Sequence, residues 1–174
     1  MFIFISGIST ARKNDIAWAL HQKLEKSVYV DQDNFLVKNK PKITLSDGTE
    51  ESNWECVDAI NWYSFNNALE NCRLEVQKSK YDFVIVVGSI LLQDYLTVKP
   101  NISFYLDSYA DEISKDVQGY FYRKNFPHNL LLVKEVVKPF NEVVRNKLNV
   151  DHRIDLSFSS SNEQVVQYML ENVL

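Results

Sequence analysis

The chain has 174 residues, enough for one domain with a sizeable core, and its 19 basic and 23 acidic residues leave a net charge of −4. That balance excludes the basic footprint expected of a nucleic-acid-binding protein, and no apolar run approaches the ~20 residues of a membrane span. Cys56 and Cys72 lie 16 positions apart, a spacing that suits neither a metal nor a redox site, so reduced thiols in a cytoplasmic protein are expected. The apolar run from Phe2 to Ile5 is too short for a signal peptide.

In chain order, "FIFIS" (2–6) predicts a buried strand ending at Gly7, one of only four glycines, each therefore a candidate for a backbone task. From Lys13 the apolar residues Ile16, Leu20 and Leu24 recur every four positions, which predicts a helix. "SVYVD" (27–31) predicts a second strand, and the polar stretch 36–53, with Pro41 and "SDG", a long loop. A helix is expected over about 57–78. "YDFVIVVG" (81–88) is apolar on both faces, as in the interior of a parallel sheet. Further strands are predicted at 101–107 and 152–158. A helix is predicted over 129–148, with a kink at Pro139, and a last one after Ser161, whose Gln164 completes a capping box. Its face of Val165, Val166, Met169, Leu170 and Val173 suits a core, or a core extended into a dimer contact. Alternating strands and helices predict a single three-layer α/β domain with a mainly parallel sheet.

Three segments carry chemistry. "FISGISTARKND" (4–15) sits at the first strand–loop–helix junction, where a phosphate loop of the form Gly, four residues, Gly-Lys-Ser/Thr would stand. Gly7 and Lys13 match; Arg12 stands where the second glycine should be, and Asn14 where the hydroxyl should be. A helix N-terminus offers free N–H groups and positive dipole character to a phosphate, so Gly7, Ser9, Thr10, Ala11, Arg12, Lys13 and Asn14 are the candidate nucleotide-binding residues. The plain alternative is a strand-ending glycine and a solvated lysine. "DQDNF" (31–35) follows the second strand, on the carboxyl side of the sheet where α/β folds bind ligands. Asp33 there could take a proton from an attacking hydroxyl, or simply belong to an acidic turn. "NWECVDAINW" (53–62) joins Glu55, able to accept two ribose hydroxyls, to the aromatics Trp54 and Trp62. His21, His128 and His152 are dispersed and show no ligand spacing.

In order, these segments resemble the uridine-kinase-like branch of the P-loop kinases, and nicotinamide riboside kinase in particular. The resemblance extends through "VIVVGSILL" (84–92), "DVQGYF" (116–121) and the final strand and helix. It implies a three-layer P-loop fold with a five-stranded, mainly parallel sheet and a lid at about 108–128. It further implies transfer of the γ-phosphoryl group of ATP, with Mg²⁺, to a ribonucleoside 5′-hydroxyl. Lys13 would contact phosphates, Asn14 would be the metal ligand, Asp33 the base and Glu55 the ribose carboxylate. Phe35, Trp54 and Tyr120 would line the substrate site. The departures weaken the ATP side: Arg12, Asn14, an added charge at Asp15, Val87 where the family has a strand-end glutamate, and a lid with few cations (Lys115, then Arg123 and Lys124). The rival expectation is a catalytically inactive relative that binds a nucleoside or a protein partner.

Overall fold

The computed structural model describes residues 1–8, 11–107, 130–156 and 161–174. The elements are β1 (Phe2–Gly7), α1 (Lys13–Lys23), β2 (Ser27–Asp31), β3 (Lys42–Thr44), β4 (Glu50–Ser52), α2 (Trp62–Gln77), β5 (Phe83–Gly88), β6 (Ile102–Asp107), α3 (Lys138–Lys147), β7 (His152–Asp155) and α4 (Asn162–Val173). Five strands form one sheet in the order β2-β5-β1-β6-β7, and all four pairings are parallel.

The layers follow from the two-residue period of a strand. Ile3 and Ile5 of β1, Ile85 and Val87 of β5, and Phe104 and Leu106 of β6 point to one side. There they pack on Ile16 and Leu20 of α1 and on Val165, Val166 and Met169 of α4. Phe2, Phe4, Val84 and Val86 point to the other side, against Phe65 and Leu69 of α2. Ile90, Leu92 and Tyr105 meet Val144 of α3 and Leu148 just after it. The predicted double-sided burial of the 81–88 run is therefore observed, with the strand itself beginning at Phe83.

Four expectations need correction. The stretch 36–53 holds an antiparallel hairpin, β3–β4, turned at Gly48, whose φ of 85° suits glycine. Leu45 at the hairpin's end is buried against Leu132 and Val136, and the Ser46 hydroxyl and N–H donate to Glu135. The second helix begins at Trp62, not at 57, because the Asn61 side chain accepts from the Ser64 N–H and caps it; residues 57–59 form a separate 3-10 turn. The helix predicted over 129–148 is three pieces. Leu130–Leu132 leads into a π turn, Val133–Val137, and then into Lys138–Lys147. The wide turn lies directly before Pro139, which brings no N–H and whose ring crowds the carbonyl four residues back. The last strand ends at Asp155, and residues 157–160 lie outside those described.

The capping box of α4 is present as predicted: Gln164 N–H donates to Ser161 Oγ, and Ser161 N–H to Gln164 Oε1. Cys56 and Cys72 are free thiols.

Candidate functional site

The centre of the site is the turn from β1 into α1. Gly7 ends β1 with no room for a side chain: a Cβ there would lie 2.8 Å from the Leu106 carbonyl oxygen and 3.0 Å from the Ala11 Cβ. The turn closes through Ala11 N–H donating to the Ile8 carbonyl at 3.0 Å, and Ala11 is buried. Ser9 and Thr10 lie outside the described residues. Arg12 has φ 50° and ψ 18°, the left-handed conformation that the second glycine of a phosphate loop adopts without strain. Its side chain is exposed, so it does not plug the turn. Its carbonyl accepts from Ile16 N–H and starts α1.

Lys13 is the first residue of α1 and is buried. Its Nζ donates to the Ile8 carbonyl at 3.3 Å, folding the side chain back over the turn. Burial pushes the ammonium below its ordinary value, and the carboxylates of Asp33, Glu55 and Asp31, in that order of strength, pull it part of the way back. Asp33 and Glu55 thus lie within electrostatic reach of Lys13. Strand order brings it about: β2 delivers Asp33 to the carboxyl edge of the sheet. Glu55 comes from the segment after the hairpin, where its N–H donates to Asn53 Oδ1.

The two carboxylates differ in setting. Glu55 is buried and Asp33 is exposed in the 3-10 turn Gln32–Phe35. The buried ammonium of Lys13 thus stands among carboxylates, a setting whose negative charge a divalent cation could offset.

Asn14, proposed from sequence as the metal ligand, donates from Nδ2 to Asp31 Oδ2 at 2.9 Å. The amide nitrogen is thus the edge turned to Asp31, and the amide oxygen is a group that can serve as a neutral donor to a hard cation. Among the described residues no group of three or more His, Cys, Asp or Glu side chains is arranged to hold a metal by itself. A cation would therefore rely on Asn14, one carboxylate and the phosphates.

The aromatic candidates are mainly packing residues. The Phe35 ring lies 5.1 Å from that of Phe65, within the core on the α2 side. Trp54 is half-buried and bridges the α1-side core to the Leu45–Leu132–Val136 cluster, so it forms a wall between the site and the hairpin. Trp62 donates from Nε1 to the Val57 carbonyl and stacks on Tyr95 at 4.9 Å, which commits it to starting α2. Tyr120 and the predicted lid, 108–128, lie outside the described residues.

Two residues of this region were not singled out from sequence. Gln32 is buried and clamps the backbone of Ile90 with two hydrogen bonds, 2.7 and 3.0 Å. Its side chain lies over Gly88, where a Cβ would stand 2.5 Å from Gln32 Oε1. Asp31 accepts from both Asn14 Nδ2 and Asp33 N–H. The scarcity of glycine at Gly88 was the available signal for the first. Nothing in the local pattern marked the second.

A five-stranded parallel sheet in this order, with a glycine-ended central strand, a turn bearing a buried lysine and a helix, defines a P-loop kinase-like α/β fold. Solved structures share it along nearly the whole chain. A sugar kinase from a Janibacter species superposes with a TM-score of 0.60 at 15% identity, covering 98% of this chain and 92% of that one. The tunicamycin resistance protein of Deinococcus radiodurans gives 0.60 at 21%, covering 99% and 94%. Thymidylate kinase from Candida albicans gives 0.53 at 14%, covering 99% and 90%. At these identities the likeness carries the fold. No family model matches the sequence, and no curated protein matches it. Among the described residues no helix is long and apolar enough to cross a membrane.

Proposed function

We propose that the chain is a single-domain, cytoplasmic nucleoside kinase of reduced rate. It would transfer the γ-phosphoryl group of ATP to the 5′-hydroxyl of a ribonucleoside of the nicotinamide riboside or uridine type. The observation that carries this is the meeting of Lys13, Asp33 and Glu55 around the β1–α1 turn. Lys13 would hold the outer phosphates, and Asn14 Oδ1 would contribute to the Mg²⁺ shell. The cation, when bound, neutralises charge that develops on the transferring group. Asp33, which is exposed, would accept the proton of the attacking hydroxyl. Glu55, which is buried, would hold the ribose diol and so align that hydroxyl. A nucleoside is the expected small-molecule partner.

The test is ADP release with nicotinamide riboside and with uridine as acceptors. Loss of a positioned base costs about 10²–10⁴-fold, so Asp33→Ala should lower turnover by that range. Turnover indifferent to Asp33→Ala would sink the assignment.

A specific observation favours a second reading, a non-catalytic nucleoside-binding or protein-interaction module. Asn14 brings no hydroxyl and its amide is tied to Asp31, while Arg12 holds a strained backbone in the loop. Titration calorimetry separates the two: nucleoside binding without ATP–Mg²⁺ binding supports the module.

A further inference from the structure

We propose that Asp31 is a positioning residue that sets the amide of Asn14 and the backbone of Asp33 together, and that it supplies from β2 the strand-end carboxylate missing at Val87. The proposal rests on the nucleotide-binding reading above. Its geometry is a two-sided clamp. Oδ2 accepts from Asn14 Nδ2 at 2.9 Å, on the first turn of α1. Oδ1 accepts from Asp33 N–H at 2.9 Å and caps the 3-10 turn that carries Asp33. One carboxylate therefore joins the nucleotide side of the site to the base side, across 17 residues of sequence on one arm and two on the other.

The orientation of the amide follows from charge. An ionised carboxylate accepts only, so it selects the Nδ2 edge of Asn14 and turns Oδ1 away from itself. With a neutral or absent group at position 31 both amide orientations become comparable, and the oxygen is no longer presented. Asp31 is also paired in register with Val87 on β5. Adjacent strands are about 4.8 Å apart, so the carboxylate stands one strand over from the position where the resemblance implies a glutamate. In-register neighbours of a parallel pair share a face, and Val87 belongs to the α1 side. Two departures from the family's pattern, the asparagine at position 14 and the valine at 87, thereby meet one residue: Asp31 bonds the first and is the register partner of the second.

The experiment compares wild type, Asp31→Asn and Asp31→Ala in two measurements. The first is calorimetric affinity for ATP with Mg²⁺ and with EDTA. Outer partners of metal ligands are commonly worth about 10–100-fold in metal affinity. Asp31→Ala should therefore weaken ATP–Mg²⁺ binding about 10-fold or more and leave metal-free ATP binding unchanged or tighter, with Asp31→Asn between. Equal effects with and without metal, or none, overturn the proposal. The second is the Asn14 side-chain amide in a nitrogen-resolved NMR spectrum, assigned by its loss in Asn14→Ser. Its protons should exchange slowly with solvent in wild type and rapidly in Asp31→Ala. An amide that is unchanged in Asp31→Ala also overturns the clamp. Wild type that binds no ATP–Mg²⁺ at all refutes the nucleotide reading instead, and the amide measurement then judges the clamp alone. Asp31→Asn preserves size and one acceptor oxygen, so it reports even if Asp31→Ala fails to fold.

Discussion

Arg12 holds a left-handed backbone, φ 50° and ψ 18°, at the head of α1, and that strain can be measured apart from everything its side chain does. Replacing Arg12 by Gly alone would mix two effects, relief of the backbone and loss of the guanidinium's contacts. The informative comparison is Arg12→Gly against Arg12→Ala, since both remove the side chain beyond Cβ. A Cβ in this region costs roughly 1–2 kcal/mol. Glycine returns about 0.4–1 kcal/mol of that through the greater freedom of its unfolded chain. The net expectation is that Arg12→Gly is the more stable variant by about 0.5–1 kcal/mol. For a chain of this size each kcal/mol moves the melting temperature by about 2–4 °C, so the glycine variant should melt about 1–4 °C above the alanine variant. Urea unfolding should give the same order at a constant denaturant slope. An alanine variant equal to or more stable than the glycine variant would refute the strain, and with it the correspondence between Arg12 and the second glycine of a phosphate loop.

Restoring the pattern with Arg12→Gly and Asn14→Ser together should raise turnover by about 10²-fold, the usual worth of one transition-state contact. Unchanged or lower ADP release would mean that Asn14 already does the work of the hydroxyl. Gly88→Ala should cost about 1–3 kcal/mol in urea unfolding by forcing Gln32 off Ile90, and Gln32→Ala in the same chain should recover part of that loss. Leu45→Ala removes the buried anchor of the hairpin, a change usually worth about 2–5 kcal/mol. Cleavage within 42–52 by a nonspecific protease should accelerate, and equal cleavage rates would show that the hairpin is held elsewhere. Hydrogen bonds from the Ser103 hydroxyl and N–H hold the Asp151 carboxyl below its ordinary 3.8. The stability this contributes is fully present above pH 3.8 and is lost as pH falls through the lowered value. Melting curves of Asp151→Asn should therefore lose part of the acid slope between about pH 4 and pH 2.

How much was legible depended on whether a residue's partner was implied by pattern. β1 and β5 were readable because Phe2, Ile3, Phe4 and Ile5 in one, and Val84, Ile85, Val86 and Val87 in the other, make both faces of each strand apolar, as a sheet interior requires. α4 was readable because Ser161 and Gln164 satisfy each other locally. The hairpin was not, because its strands pair through backbone groups and it adds only Ile43 and Leu45 to the apolar record; its anchor, Leu132, is 87 positions away. Asp33 was placed near Lys13 by the rule that strand ends converge, and Glu55 only by the resemblance. The double bond of Asp31 was hidden because an acid after a strand looks the same whether it caps, clamps or faces water. The left-handed state of Arg12 could be inferred only from its place in the motif, since arginine by itself predicts the opposite.

The sheet order has a consequence for how the chain is made. β1 is synthesised before both strands that flank it, yet it lies in the middle of the sheet, with Ile3 paired to Ile85 on one side and Ile102 on the other. Its neighbours are thus 85 − 3 = 82 and 102 − 3 = 99 residues downstream. On a translating ribosome adding about 5–20 residues per second, the first strand waits roughly 5–20 s before both flanks exist, its apolar faces uncovered meanwhile. The Leu106 wall against the turn bearing Arg12 and Lys13 is missing until β6 emerges, and α1 gains its partner α4 only when residues 162–173 have emerged. A pause or truncation shortly before residue 102 would therefore leave one edge of "FIFIS", a segment of high β-propensity, without its β6 partner, while "FVIVV" already has β1 and β2 on its two sides.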